Sequence, residues 1–293
     1  MNEIIEFLNK TEPISSPIIS GIVGTILTLL FSRQNARTNA TEETKANILA
    51  QEVPQLIERG SISNMELYKC RNFYKIAKLA DNMIKASDNN EQPNKDIDPD
   101  WVMRFFEAVG NVSNEDMQVL WAKILKGEIE DSNRFSLRTI ETVHNLNARE
   151  AKLFVEYSQY FLHEQNGMIF IMDTFRDFSD DFNAFYDINR DDILLLQDCG
   201  LIGGVLNNVR IDLNQEPAGI WNDENILRIH FKRMDDLIRL VYKYDAYPLT
   251  SVGRQIFPLV KLSSNDDYLI GIQNEIDKRY SANIETDLEK IAR

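Results

Sequence analysis

Several residue groups in this chain have types that chemistry uses, and their spacing argues against each. Between Asp173 and Asp198 stand eight aspartates against two arginines, which makes a cation site the first thing to test. Asp177, Asp180 and Asp181 are the candidate ligands. A calcium loop needs an ordered ladder of oxygen ligands with glycine at its sharp turn, and this stretch has neither. Phe175, Phe178, Phe182 and Phe185 interleave with the acids, so an acidic outer face over an aromatic stripe is the simpler reading. Pro99-Asp100 with Glu150-Ala151-Lys152 mimics a nuclease pattern, but both pieces sit at helix starts, whereas such sites are built on strands. His144, His163 and His230 are scattered without metal-ligand spacing. Cys70 and Cys199 lie in apolar helical patterns and form no C-x-x-C pair, which reads as two buried free thiols. There is no G-x-x-x-x-G-K-[ST] loop and no G-x-S-x-G elbow, and Gly203-Gly204 is a turn. The sequence therefore points to no enzyme, no cofactor and no metal.

The elements around these residues are clearest between Ile97 and Leu146. Asp98 fits an N-cap and Pro99 the first helical position, where a missing N–H costs nothing. Trp101, Val102, Phe105, Phe106 and Val109 recur at helical spacing. Ser113 to Asp116 read as a capping box for a second helix. Its stripe is Met117, Leu120, Trp121, Ile124 and Leu125, with Gly127 as its stop. Ser136 opens a third helix with Leu137, Ile140 and Val143 inward. Such helices are not stable alone, so the two tryptophans read as core and not as ligand-stacking residues.

This block resembles a bacterial family, the domain of unknown function 2806. The matching pieces are I-D-P-D-W (Ile97 to Trp101), R-F-F (Arg104 to Phe106), M-Q-x-L-W-A-K-I-L (Met117 to Leu125), G-E-I (Gly127 to Ile129) and F-S-L-R-T (Phe135 to Thr139). The resemblance implies a bacterial protein with a helical middle domain, and it carries no catalytic residues over.

Upstream, Ile14 to Phe31 is uninterrupted by charge. Eighteen residues of helix reach about 27 Å, just short of a hydrocarbon core of roughly 30 Å. Ser20, Gly24 and Thr28 fall at i, i+4 and i+8, with Gly21 and Thr25 beside them, a small-residue face of the kind that packs membrane helices. Arg33 and Arg37 follow while the preceding segment is acidic, which would place the bulk of the chain on the cytoplasmic side of a bacterial inner membrane. The competing reading is a helix buried in a core. Lys69, Arg71, Lys75, Lys78 and Lys85 make the next helix basic, suited either to lipid headgroups or to water.

Downstream, Met168 to Met172, Val205 to Leu213, Ile226 to Phe231 and Ile238 to Tyr244 are strand candidates. Asn189 to Ile202, and Leu249 to Ile256 with its L-T-x-x-G-R-x-I pattern, resemble the last helix of a winged helix and the step out of its wing. The tail, Asp266 to Arg293, reads as one or two helices. The expected fold class is mainly α: a transmembrane-type N-terminal segment (1–33), a helical domain (34–165) and a small α+β winged-helix-like domain (166–293).

The net charge of −14 disfavours nucleic acid, because phosphate contacts need clustered Lys and Arg. Two functional expectations follow. The plan resembles membrane-associated anti-phage effectors of the abortive-infection type, in which homo-oligomerisation on a protein trigger, phage-encoded in such systems, brings N-terminal helices together and permeabilises the inner membrane. The alternative is a soluble cytoplasmic adaptor or regulator that binds a protein partner through the winged-helix-like domain. Deleting residues 1–33 separates them: the first expects a folded, soluble remainder, the second a destabilised one that aggregates, read by thermal melting and fractionation.

Overall fold

The computed structural model describes residues 64–87, 97–175, 178–212, 218–231, 241–280 and 284–291, together with residues 14, 16, 19 and 21–23. The chain divides into two units, Met1–Ala148 and Arg149–Arg293.

The first unit is helical: α1 (Asn64–Ala86), α2 (Pro99–Val109), α3 (Glu115–Glu130) and α4 (Leu137–Asn145). Caps set the starts. Asp98 accepts from the Asp100 N–H, Asn114 from Met117 and Ser136 from Thr139. The cap of α3 is thus one residue later than the Ser113 box implied, and α3 runs through Gly127 to Glu130. Its core is aromatic. Phe105 stacks on Trp101 at 5.1 Å and meets Trp121 edge-on at 5.4 Å, while Phe73 of α1 meets Phe106 at 5.4 Å. Burying such side chains contributes roughly 1.5–3 kcal/mol each, enough to hold helices too short to persist alone.

The loop from α3 to α4 is fixed by residues far apart in sequence. The Glu128 carboxylate, 1% exposed, accepts from the backbone N–H of Asn133 at 2.6 Å and of Phe135 at 2.9 Å. Burial pushes its pKa up, opposed by those two backbone bonds. Trp101 Nε1 donates to the Phe135 carbonyl at 2.8 Å. Gly127 leaves room for the Phe135 ring, since a Cβ there would lie 2.8 Å from Phe135 Cε2.

The second unit opens with α5 (Ala148–Tyr157) and a 3-10 turn (Ser158–Tyr160). It continues with β1 (Leu162–Glu164), β2 (Ile169–Met172), α6 (Asp180–Phe185), α7 (Arg190–Asp198), β3 (Leu206–Asp212), β4 (Gly219–Trp221), β5 (Asn225–Phe231) and β6 (Val241–Pro248). It closes with α8 (Ser251–Val260), α9 (Asp266–Tyr280) and β7 (Ile284–Lys290). The strands form one antiparallel sheet in the order β3-β6-β2-β1-β4-β5-β7.

Two parts of the expected fold class are corrected. The C-terminal half is not a small winged-helix-like domain on a mainly α chain but a helix-covered, seven-stranded antiparallel sheet. The local steps do occur: Ile202 bridges Leu249, Thr250 caps α8, and the Thr250 N–H donates to the Leu201 carbonyl at 3.1 Å. Around them, β1 and β4 are three residues each, too short to show a period, and β7 is a strand where the tail read as helix. Second, among the described residues no helix is long and apolar enough to cross a membrane. Of the segment Ile14 to Phe31, Ile19 and Gly21–Val23 are described as helical, with Ile19, Ile22 and Val23 0%, 9% and 6% exposed. The Ser16 N–H donates to Asp81 Oδ1 of α1 at 2.8 Å.

Alanine at an ordinary helix-interior glycine gains about 1 kcal/mol of helix propensity. At Gly127 the sign reverses, because the new methyl meets a Phe135 ring that is 1% exposed and has no room to retreat. Gly127→Ala should lower the stability of the helical unit by about 1–3 kcal/mol, read from its urea unfolding transition.

Candidate functional site

Among the described residues of the second unit, the most exposed large apolar side chains are Phe185 on α6 and Leu194 on α7. Ser179 caps α6, accepting from the Phe182 N–H at 3.3 Å. Thr174 Oγ1 donates to Asn183 Oδ1, so α6 is tied to the end of β2. Phe182 and Tyr186 turn inward into an aromatic cluster with Tyr160 and Tyr268, with ring centroids 4.7–6.4 Å apart. Tyr160 donates to the Tyr186 carbonyl at 2.8 Å, and Tyr186 donates to the Asp267 carbonyl at 2.5 Å. Gly271 of α9 permits this closeness, since a Cβ there would lie 2.4 Å from the Tyr186 hydroxyl. Burial pushes the Tyr186 pKa up, with Asp267 adding to it.

Phe185, between those anchors, points the other way. It is 77% exposed, with its ring edge-on to Tyr186 at 4.8 Å. The aromatic spacing predicts it in the inward stripe, but a six-residue helix turns only part of that stripe to the core. On α7, capped by Asn189, Leu194 is 50% exposed. Asp181, Asp187, Asp191 and Asp198 are exposed around these two side chains in sequence, and the Arg190 guanidinium sits over the Phe175 ring at 4.7 Å. The stretch therefore carries exposed aspartates, as the sequence implies, together with two exposed large apolar side chains.

A second convergence is polar. The Lys261 ammonium bonds to Asp223 Oδ1, and the Ser264 hydroxyl donates to Asp223 Oδ2 at 2.9 Å. Ser264 Oγ in turn accepts from the Asp223 N–H at 3.2 Å. His163 stacks on Trp221 beside them, at 6.4 Å. Burial raises the Asp223 pKa, but the Lys261 and Ser264 bonds outweigh it and the net shift is downward. Burial lowers His163, Lys261 pushes it the same way and Asp223 opposes. The Ser264 proton is committed to Asp223 and the Lys261 ammonium is spent on the same carboxylate. This arrangement clamps the β4–β5 turn to the α8–α9 connection; it does not activate a nucleophile.

The other sequence candidates are dispersed. Asp100 opens α2 in one unit, while Glu150 and Lys152 lie on α5 in the other, with Lys152 paired to Glu156 at 3.4 Å. His144 Nδ1 is 3.0 Å from the Ala108 carbonyl, and His230 lies 3.5 Å from Asp287. Cys70 is buried and pushed up to about 12; Cys199 is raised to about 11 by burial, with Glu150 and Asp198 adding to it. Both thiols stay protonated at neutral pH. Among the described residues no group of three or more His, Cys, Asp or Glu is placed to hold a metal, and Asp177 lies outside those residues. Gly21 is half-exposed, with nothing within 4 Å of a Cβ built on it. Ser20, Gly24, Thr25, Thr28, Arg33 and Arg37 lie outside the described residues.

Residues 57–273, well over half of the chain, match the family model described as "Protein of unknown function (DUF2806)". No curated protein and no solved structure matches the chain. The pieces noted in the sequence fall within the match, and Trp101, Gly127, Glu128 and Phe135 meet at the single loop described above.

The polar clamp gives stability a definite sign with pH. The folded pKa of His163 lies below 6.5, so its contribution is complete above that value and is lost as pH falls through the lowered one. That of Asp223 is present above 3.8 and is lost as pH falls through its own lowered value. The melting temperature should therefore fall on acidification in two steps, and His163→Gln should remove the upper one. An unchanged profile in that variant would show that His163 does not carry it.

Proposed function

The chain belongs to the DUF2806 family of proteins of unknown function, and from that premise we propose that it is a non-catalytic adaptor or regulator that binds a protein partner through its C-terminal unit. The observation that carries this is Phe185. Its ring is 77% exposed, while Phe182 in α6 and Tyr186, the residue after α6, are packed into the core on either side of it in sequence. Anchoring of its neighbours fixes the backbone that presents the ring, and large aromatic side chains are over-represented among the few residues that dominate interface energy. The surrounding aspartates suit a partner with an apolar pocket rimmed by lysine or arginine, whose charge would steer encounter more than it would tighten the complex. The chain's net charge of −14 favours the same kind of partner and disfavours nucleic acid.

The membrane-permeabilising reading rests on the segment Ile14 to Phe31. The burial of Ile19, Ile22 and Val23 weighs toward the adaptor, which expects that segment to be part of a packed unit.

Phe185→Ala should weaken partner binding at least 30-fold, about 2 kcal/mol, with Leu194→Ala costing less. The melting temperature should hardly move, because surface substitutions usually stay within about 0.5 kcal/mol. The check is capture with the full chain, then titration of the captured protein against wild type and variant by calorimetry. Equal affinities would remove Phe185 as the anchor.

A further inference from the structure

The sheet of the second unit has two edges, and they are built differently. At one edge, β3 loses its register against β6 between Leu206 and Val209, with Asn208 at φ 56°, a break that turns an edge away from further pairing. At the other, β7 pairs with β5 without a break from Asn225↔Lys290 to Phe231↔Ile284. The Ile291 N–H donates to the Glu224 carbonyl at 2.8 Å, which fixes the phase of this ladder. Glu285, Asp287 and Glu289 therefore turn their backbone groups toward β5, while Thr286, Leu288 and Lys290 turn theirs outward. The Thr286 carbonyl accepts from Gln273 of α9 at 3.2 Å, as an outward carbonyl can. Among the described residues no other strand pairs with this edge.

The side chains of β7 alternate as well. Ile284 and Thr286 are buried, whereas Glu285, Asp287 and Glu289 are exposed on the opposite face. On β5, Arg228 Nε lies 2.7 Å from Glu289 and His230 Nε2 lies 3.5 Å from Asp287. An added strand would set its own same-face side chains beside these three acids. A second copy, pairing β7 with β7 about a two-fold axis, would set Asp287 on Asp287 and Glu285 on Glu289, and like charges directly opposite repel. A strand with lysine or arginine at alternate positions meets opposite charges there instead.

We propose that β7 is a strand-addition site for an extended segment of a partner protein that carries lysine or arginine at every second residue. Main-chain hydrogen bonds to Thr286, Leu288 and Lys290 hold the segment, and Glu285, Asp287 and Glu289 select it. The site goes beyond the Phe185 reading and does not depend on it.

The probe is a short peptide of alternating lysine and threonine, titrated against the full chain by calorimetry. It should bind, and a peptide of alternating glutamate and threonine should not. Backbone N-methylation separates strand pairing from charge attraction, because a methylated amide leaves the side-chain charges in place and donates no hydrogen bond. Methylating one alternate set of amides should abolish binding and methylating the other should leave it, since only one set faces β7. Glu285→Gln, Asp287→Asn and Glu289→Gln together should weaken binding about tenfold. Phe185→Ala should leave it unchanged. No binding by the lysine peptide, equal effects of the two methylated peptides, or full binding by the triple variant overturns the proposal. So does a loss of binding in Phe185→Ala, which would put the peptide at the Phe185 surface. Self-association of the full chain that the peptide reverses would give the edge to a second copy and overturn it too. If the triple variant fails to fold, the two methylated peptides on the wild-type chain still decide.

Discussion

Pairing of the last strand with β5 is the constraint on which the C-terminal unit depends. The two strands match residue for residue from Asn225↔Lys290 to Phe231↔Ile284. This register places Thr286 beside Ile229 and Leu288 beside Leu227, and it continues through Ile220 into β1. One face of the sheet is thereby buried across many strands. The chain reaches β7 from α9, so the pairing also delivers α9 to the sheet, with Tyr268, Leu269, Ile272 and Ile276 buried. Thr286 then donates to Asp277 at 2.7 Å, and Gln273 to the Thr286 carbonyl at 3.2 Å, fastening helix to strand. The cluster of Tyr160, Phe182, Tyr186 and Tyr268 exists because α9 is there, and with it the platform that presents Phe185.

The buried polar side chains mostly serve connections. Glu128 holds the α3–α4 loop, Asn72 donates to the Gly110 carbonyl at 2.8 Å, and Gln118 donates to the Val112 carbonyl at 2.9 Å. Asn222 accepts from Glu224 and Asn225 to close the β4–β5 turn. Such groups must be satisfied once desolvated, and loops supply the backbone donors and acceptors that helices and strands have already used. Trp101, Gly127, Glu128 and Phe135, which meet at the α3–α4 loop, are placed by packing and hydrogen bonding and form no catalytic arrangement. Asp81 differs from them in that its reach goes to a segment outside the matched stretch.

The helical unit was legible because its signals are local. The caps at Asp98 and Ser136 and the stripes of α2 and α3 can each be read within a dozen residues. The starts of α7 at Asn189 and α8 at Thr250 were legible for the same reason. Gly127 reads as a helix stop, since a glycine that makes room for a distant ring looks in sequence like one that ends a helix. β7 does alternate, with Ile284, Thr286 and Leu288 against Glu285, Asp287 and Glu289, but seven residues at the end of a helical tail carry that signal weakly. Of the candidate surface, the acidic face was visible, and the outward turn of Phe185 was not.

By itself, then, the sequence determined the element types wherever a period of 3.6 or a cap ran long enough to show. It also determined the acidic balance and the absence of recognisable catalytic spacing. Tertiary structure alone decided that β1 pairs with β4, β2 with β6 and β5 with β7, because antiparallel partners 50 or more residues apart leave no local trace of their register. It decided which aromatic faces water, because that depends on what covers the neighbouring turn. And it decided that the carboxylate of Asp81, one acid among 46, is the one that meets Ser16.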